Sequence, residues 1–271
     1  MKTRMFLFLA AATLLLAAGC RSIPLPEGVI PAEKMTQTPA RPEQVEPLRR
    51  LAASGDPDGT FRYGLQLLFA ENSRQPVEKP EFPNGVPFGI RPENWSPADL
   101  WIARAAQLGS PEAKYYTAAA RQAVLERRQM LKLVKEAAEA GVAPALNRLG
   151  TYYYFGMGVE VDNAEAVRLF AAAARQGHPA ALHNLAVCLM NGSGIAADEA
   201  AAVRLLRMAA FRGTEQSRRN LEWCYRTGLG VEVDRSKAFY WKDINRIPPA
   251  GTEELFPADK VEELDLQVEL P

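Results

Sequence analysis

From residue 43 onward, apolar residues recur at helical spacing. Val45, Leu48, Leu51 and Ala52 mark one helix face, and Gly55 closes that helix. Phe61, Tyr63, Leu65, Leu67 and Leu68 predict a second helix, to about residue 70. Prolines at 76, 80, 83, 87, 92 and 97 then forbid a helix interior through 71–97. Ser96 is placed to cap the next helix, with Pro97 in its first turn and Gly109 at its end. Ser110-Pro111 opens another, and two helices, 113 to about 125 and 128–140, lead to Gly141. Beyond Gly141 the pattern becomes regular at a step of 36 residues. Gly141, Gly177 and Gly213 align, as do Leu149, Leu185 and Leu221. The pairs Gly156/Gly158, Gly192/Gly194 and Gly228/Gly230 follow, then Asp162, Asp198 and Asp234, then Ala166, Ala202 and Ala238. A period of this length predicts a solenoid built from one repeated supersecondary unit.

Each regular unit splits in the same way. A helix A, Ala143–Phe155 in the first copy, is broken by a Gly-x-Gly turn that can take positive φ at little cost. Asp162 then sits at the N-cap of a helix B, where a carboxylate accepts from free N–H groups and meets the positive end of the helix dipole. Helix B is rich in alanine (residues 171–174), which permits close helix approach, and Gly177 ends it. The string Ala145-x-x-x-Leu149-Gly150-x-x-Tyr153-x-x-Gly156-x-Gly158-Val159-x-x-Asp162-x-x-x-Ala166, followed by Phe170, Ala173-Ala174 and Gly177, resembles the SEL-one-like repeat, a relative of the tetratricopeptide repeat. The later copies depart at Ala186 and Glu222 (for Gly150) and at Leu189 (for Tyr153). The resemblance implies an all-α, right-handed α/α superhelical solenoid, here about five helix-turn-helix repeats over 43–243 with a Pro-rich insert at 71–97. It further implies a structure that holds protein partners and carries no catalytic chemistry.

On a helical wheel, Ala145, Leu149, Tyr152 and Tyr153 form the core face of helix A. The opposite face carries Asn147, Thr151 and Tyr154, then His183, Val187 and Met190, then Arg219, Trp223 and Arg226, flanked by Asn184 and Asn220. Related repeats line their concave groove with helix A. Exposed Tyr, Met, Trp and Arg are the composition of a binding hot spot, and Asn can both donate to and accept from a peptide backbone. We therefore take Tyr154, His183, Asn184, Val187, Met190, Arg219, Asn220, Trp223 and Arg226 as candidate partner-binding residues. The competing reading packs Trp223 and Met190 on the adjacent helix and leaves the asparagines bonded within their own repeat.

The N-terminus adds an address. Lys2 and Arg4 precede a short apolar run at 5–16, too short to span a bilayer, which reads as a signal peptide over 1–19. The ending Leu16-Ala17-Ala18-Gly19-Cys20 resembles the lipobox of bacterial lipoproteins, with Ala17 where that family prefers Leu. This implies lipid attachment at Cys20, and Arg21 after it implies an outer-membrane destination facing the periplasm. The alternative is an ordinary secretory signal with an incidental cysteine. Residues 20–42, with five prolines, read as a tether.

Composition excludes more than it specifies. The formal net charge is zero, which offers no basic field for nucleic acid. Acids concentrate at the C-terminus, where 244–271 reads as an acidic tail. Leu264 to Leu270 alternates apolar and polar, the pattern of a strand, but no other stretch offers a sheet edge, so the expectation is a disordered tail. Cys188 and Cys224 occupy the same position of neighbouring copies. Packed helices lie roughly 8–10 Å apart, beyond the ~7 Å Cα reach of a disulfide, so both are expected as core thiols. The two histidines, His178 and His183, point about 140° apart on one helix and cannot share a metal; His178 reads as a solvated helix start. No zinc, P-loop or serine-nucleophile motif occurs, and no Ser-x-x-Lys. The expectation is a non-catalytic chain without cofactor that holds a protein or peptide partner in the cell envelope. The rival is a protein that binds or hydrolyses cell-wall fragments or β-lactams, although the relatives linked to that role carry closely spaced cysteine pairs that are absent from this sequence.

Overall fold

The computed structural model describes residues 42–70, 80–82, 95–120 and 127–242. The signal segment, Cys20, most of the tether and of the Pro-rich insert, and the acidic tail lie outside these residues. Among the described residues the chain is all-helical, with eleven helices and no strand. They are α1 (Pro42–Ala53), α2 (Pro57–Ala70), α3 (Pro97–Leu108), α4 (Pro111–Ala120), α5 (Arg127–Glu139), α6 (Ala143–Phe155), α7 (Asn163–Arg175), α8 (Pro179–Asn191), α9 (Glu199–Phe211), α10 (Glu215–Thr227) and α11 (Arg235–Lys242). No helix among them is long and apolar enough to cross a membrane.

Two compact units emerge, Met1–Leu146 and Asn147–Pro271. In the first, consecutive helices pack from α1 through α5. Phe61 and Leu65 of α2 meet Ile102, Ala105 and Ala106 of α3 and Tyr116 of α4, while Leu48 and Ala52 of α1 meet Tyr63 and Leu67. The α3 ends follow the expected signals. The Ser96 hydroxyl accepts from the Asp99 N–H, Pro97 opens the helix, and Gly109 closes it at φ 111°. The edges of the Pro-rich insert are pinned by aromatics. Trp95 is buried with Leu100 and Ala103, and Phe82 packs on them.

In the second unit, three copies are built alike down to single hydrogen bonds. After each Gly-x-Gly turn the Asp N–H returns to helix A, from Asp162 to the Tyr153 carbonyl at 3.0 Å, Asp198 to Leu189 at 3.0 Å and Asp234 to Tyr225 at 2.8 Å. Each carboxylate then caps helix B. Asp162 accepts from Glu165 N–H at 2.9 Å, Asp198 from Ala201 at 2.8 Å and Asp234 from Lys237 at 2.9 Å. The Lys237 N–H, with help from the Lys237 ammonium, holds the Asp234 carboxyl below its ordinary pKa. Within the first copy helices A and B meet where Gly150 has no side chain; a β-carbon there would lie 2.8 Å from the Phe170 ring.

The join between copies depends on the second glycine of the turn. At Gly194 (φ +73°) a β-carbon would run into the Asn163 carbonyl at the start of the preceding helix B, and at Gly230 (φ +68°) into that of Glu199. Each turn is therefore seated on the backbone of the copy before it. Leu182, Leu185, Leu205, Leu206 and Leu221 fill the interior at 0–1% exposure. Cys188 and Cys224 lie among them as free, buried thiols, each pushed up to about 11 by burial and so held protonated.

Candidate partner-binding face

The A helices α6, α8 and α10 present one face built in three rows. Asn147, His183 and Arg219 form the first, Thr151, Val187 and Trp223 the second, and Tyr154, Met190 and Arg226 the third. Exposure rises towards the last copy. The residues on α6 and α8 are half-buried, whereas Arg219 and Arg226 are exposed and Trp223 is 44% exposed. Asn184 and Asn220 at the flank are half-buried. The nine candidates do not converge on one point; they spread over three helices as a surface.

Two side-chain hydrogen bonds tie these helices together. Asn184 Nδ2 donates to Asn147 Oδ1 at 2.9 Å, and His183 Nδ1 lies 2.9 Å from Ser217 Oγ. Asn184 thus bonds across to the neighbouring copy rather than within its own. His183 is partly desolvated, which lowers its pKa and favours the neutral ring. Ser217 is fully buried where the other copies have Ala145 and Ala181. A hydroxyl at a core position calls for a partner, and that was the sequence signal for this contact.

In the last copy the polar groups are held along the helix. Arg219 pairs with Glu215, and Arg226 Nη1 lies 3.3 Å from Glu222. Both are exposed i,i+4 pairs worth a few tenths of a kcal/mol, so either arginine can exchange its partner for another carboxylate at small cost. Trp223 lies between them, one turn from each. Tyr154 stacks edge-on against Phe155, with centroids 4.9 Å apart. Tyr152, on the core side, takes the Arg148 guanidinium at 2.9 Å.

His178 corrects the sequence reading. It is a half-buried N-cap of α8, and its Nδ1 accepts from the Ala181 N–H at 3.2 Å. Burial lowers its pKa to about 4. Among the described residues no group of three or more His, Cys, Asp and Glu side chains is placed to hold a metal ion. A shallow hollow beside α5 is lined by Arg128, Leu131, Lys132, Lys135, Glu136 and Glu139, all from that one helix.

Comparison with known proteins identifies the repeat. Residues 143–178, 179–213 and 223–241 match the profile of the Sel1 repeat. A solved structure of a Sel1 repeat protein from Oxalobacter formigenes is 26% identical, with a TM-score of 0.54, over 73% of this chain and 54% of its own. A protective antigen present in uropathogenic Escherichia coli strains, displaying an SLR fold, is 26% identical with a TM-score of 0.56, over 73% of this chain and 39% of its own. The chain therefore spans about half the length of these relatives or less. No curated protein matches it. Residues 143–241 thus carry three matches to the Sel1 repeat, and the fold is similar to that of solved Sel1-repeat solenoids.

Proposed function

We propose that this protein is a lipid-anchored scaffold of the cell envelope that holds a protein or peptide partner across the face of α6, α8 and α10. Sel1 repeat proteins generally serve as protein–protein interaction scaffolds and are generally non-enzymatic, which supports the class. The observation that carries the location of the site is Trp223, 44% exposed between two exposed arginines on the helix-A face. Hot-spot residues at protein interfaces are enriched in Trp and Arg, so a solvated Trp flanked by two guanidinium groups is the natural anchor. The half-buried Val187, Met190 and Tyr154 extend an apolar floor from it, and the Asn184–Asn147 bond does not use the Asn184 Oδ1 acceptor or the Asn147 Nδ2 donors, which suit a peptide backbone. The lipobox-like ending at Cys20, with Arg21 after it, supports a lipid anchor and a periplasmic position at the outer membrane.

The test is a pull-down from envelope extract with wild type beside Trp223→Ala and Arg226→Ala. A partner on this face is expected to be recovered at least tenfold less well by W223A, the consequence of losing about 2 kcal/mol at a hot spot. Equal recovery of every partner by all three proteins would remove the face as the binding site.

A further inference from the structure

We infer that the acidic segment 253–271 docks on the outer side of α11 at Phe239. One apolar position is covered in two copies and open in the third. Val167 of α7 and Val203 of α9 are each 2% exposed, since α8 packs against α7 and α10 against α9. Phe239 of α11 stands at the same place, two steps of 36 residues on from Val167, and is 60% exposed. A larger apolar side chain is therefore left open where its counterparts are covered by the next copy.

The surroundings of Phe239 are not those of another repeat interface. Arg218, Glu222 and Lys242 replace Leu182, Ala186 and Leu206, three residues that are buried in the copy before. A polar outer face of this kind marks the terminal unit of a solenoid. Arg235 and Lys242, both exposed, lie four residues before and three after Phe239, on the same side of the helix. The helix α11 itself contains no acidic residue. What fits is an anionic segment with apolar side chains, and such a segment follows in the chain. Residues 253–271 hold Glu253, Glu254, Asp259, Glu262, Glu263, Asp265 and Glu269 against Lys260 alone, with Leu264, Leu266, Val268 and Leu270 on alternate positions. The connection from Lys242 is long enough. Ten intervening residues reach up to roughly 35 Å, against about 12 Å for the length of an eight-residue helix. A second copy of the chain would bring the same two cations against its partner's, so the chain's own segment is the better complement.

A double-mutant cycle on the full chain tests this. The variants are Phe239→Ser, the tail variant Leu264→Ser/Leu266→Ser/Val268→Ser, and the two combined, each followed by thermal unfolding and size-exclusion chromatography. F239S alone is expected to lower Tm by about 5 °C, the scale of exposing one buried phenylalanine in a domain of this size, and the tail variant by a similar amount. Combined, they are expected to lower Tm no further than either alone, with every protein eluting as a monomer. Phe239→Leu is expected to retain most of the wild-type Tm. Additive shifts, or no shift from F239S, would overturn the inference. So would a concentration-dependent dimer that F239S abolishes, since a second copy would then cover this face.

Discussion

Replacing Gly194 by alanine is expected to cost about 3 kcal/mol of unfolding free energy, and Gly192 by alanine, two residues away, about 1 kcal/mol. Both glycines have positive φ, 73° and 65°, so both substitutions bear the left-handed backbone cost of roughly 1–2 kcal/mol. They differ in what a β-carbon would meet. At Gly192 the nearest atom is the Ala197 side chain at 3.7 Å, ordinary contact distance. At Gly194 it is the carbonyl of Asn163, main chain in the first turn of α7, which cannot give way without moving the copy it belongs to. Overpacking of this kind adds about 1–3 kcal/mol. Urea unfolding of the two single variants measures the difference directly. Equal losses would mean that the turn does not seat on the preceding copy. A smaller contrast is expected one repeat on, where a β-carbon at Gly230 meets the Glu199 carbonyl and one at Gly228 meets the Val233 side chain at 3.0 Å.

The second large effect is a pH dependence at His178. Burial holds its pKa near 4, against 6.5 for an ordinary histidine. Its Nδ1 needs a free lone pair to accept from the Ala181 N–H, and a proton there would face the positive end of α8. Between pH 6.5 and 4 the unfolded chain takes up a proton at this site that the folded chain refuses. The contribution is therefore complete above about pH 6.5 and falls as the pH drops towards 4, by roughly 2–3 kcal/mol at pH 4.5. His178→Asn keeps an N-cap that accepts from the same N–H and does not titrate. Between pH 7 and 4.5 the wild type is expected to lose that much more stability than H178N, read from urea unfolding at each pH. Parallel curves for the two proteins would show that His178 titrates normally in the folded chain.

Local signals carried much of the architecture. The bounds of α6, the Ser96 cap with Gly109 at the far end of α3, and the repeated Asp caps all follow from residue types acting on their own backbone. Position-by-position repetition then extended one copy to three. The core thiols were legible for the same reason, since Cys188 and Cys224 share a register fixed by the period. What the sequence concealed lies between copies. The Asn184–Asn147 and His183–Ser217 bonds join residues 37 and 34 apart; the core hydroxyl of Ser217 signals that a partner is needed, but no local preference names it. His178 read as solvated because a histidine after a glycine offers no sign that the fold will desolvate it. Glu222 replaces the Gly150 of the first copy, where helices A and B meet closely. In the structure it is half-buried, pairs with Arg226, and stands among charged replacements at the end of the described array. The exposure of Phe239 is likewise a property of position in the array, invisible in a residue that matches Val167 and Val203 in hydrophobicity.

The proposed partner-binding face rests on exposure as well as on periodicity. Periodicity separates the core side of helix A from its other side, but it does not distinguish a side that binds from one that is only solvated. Exposure rises from half-buried Asn147 to exposed Trp223 and Arg226, so the surface available to a partner is greatest on α10. The ion pairs Arg219–Glu215 and Arg226–Glu222 keep the two cations in place on α10 at small energetic cost to exchange.

Site-specific photocrosslinking in living cells tests the central claim most directly. A photoreactive residue is placed singly at Val187 or Trp223 on the helix-A face, and at exposed Arg168 or Arg204 on the B helices. A discrete crosslinked partner band is expected from Val187 and Trp223 and none from Arg168 and Arg204. Crosslinks from the B-helix positions alone, or equally from all four, would contradict it.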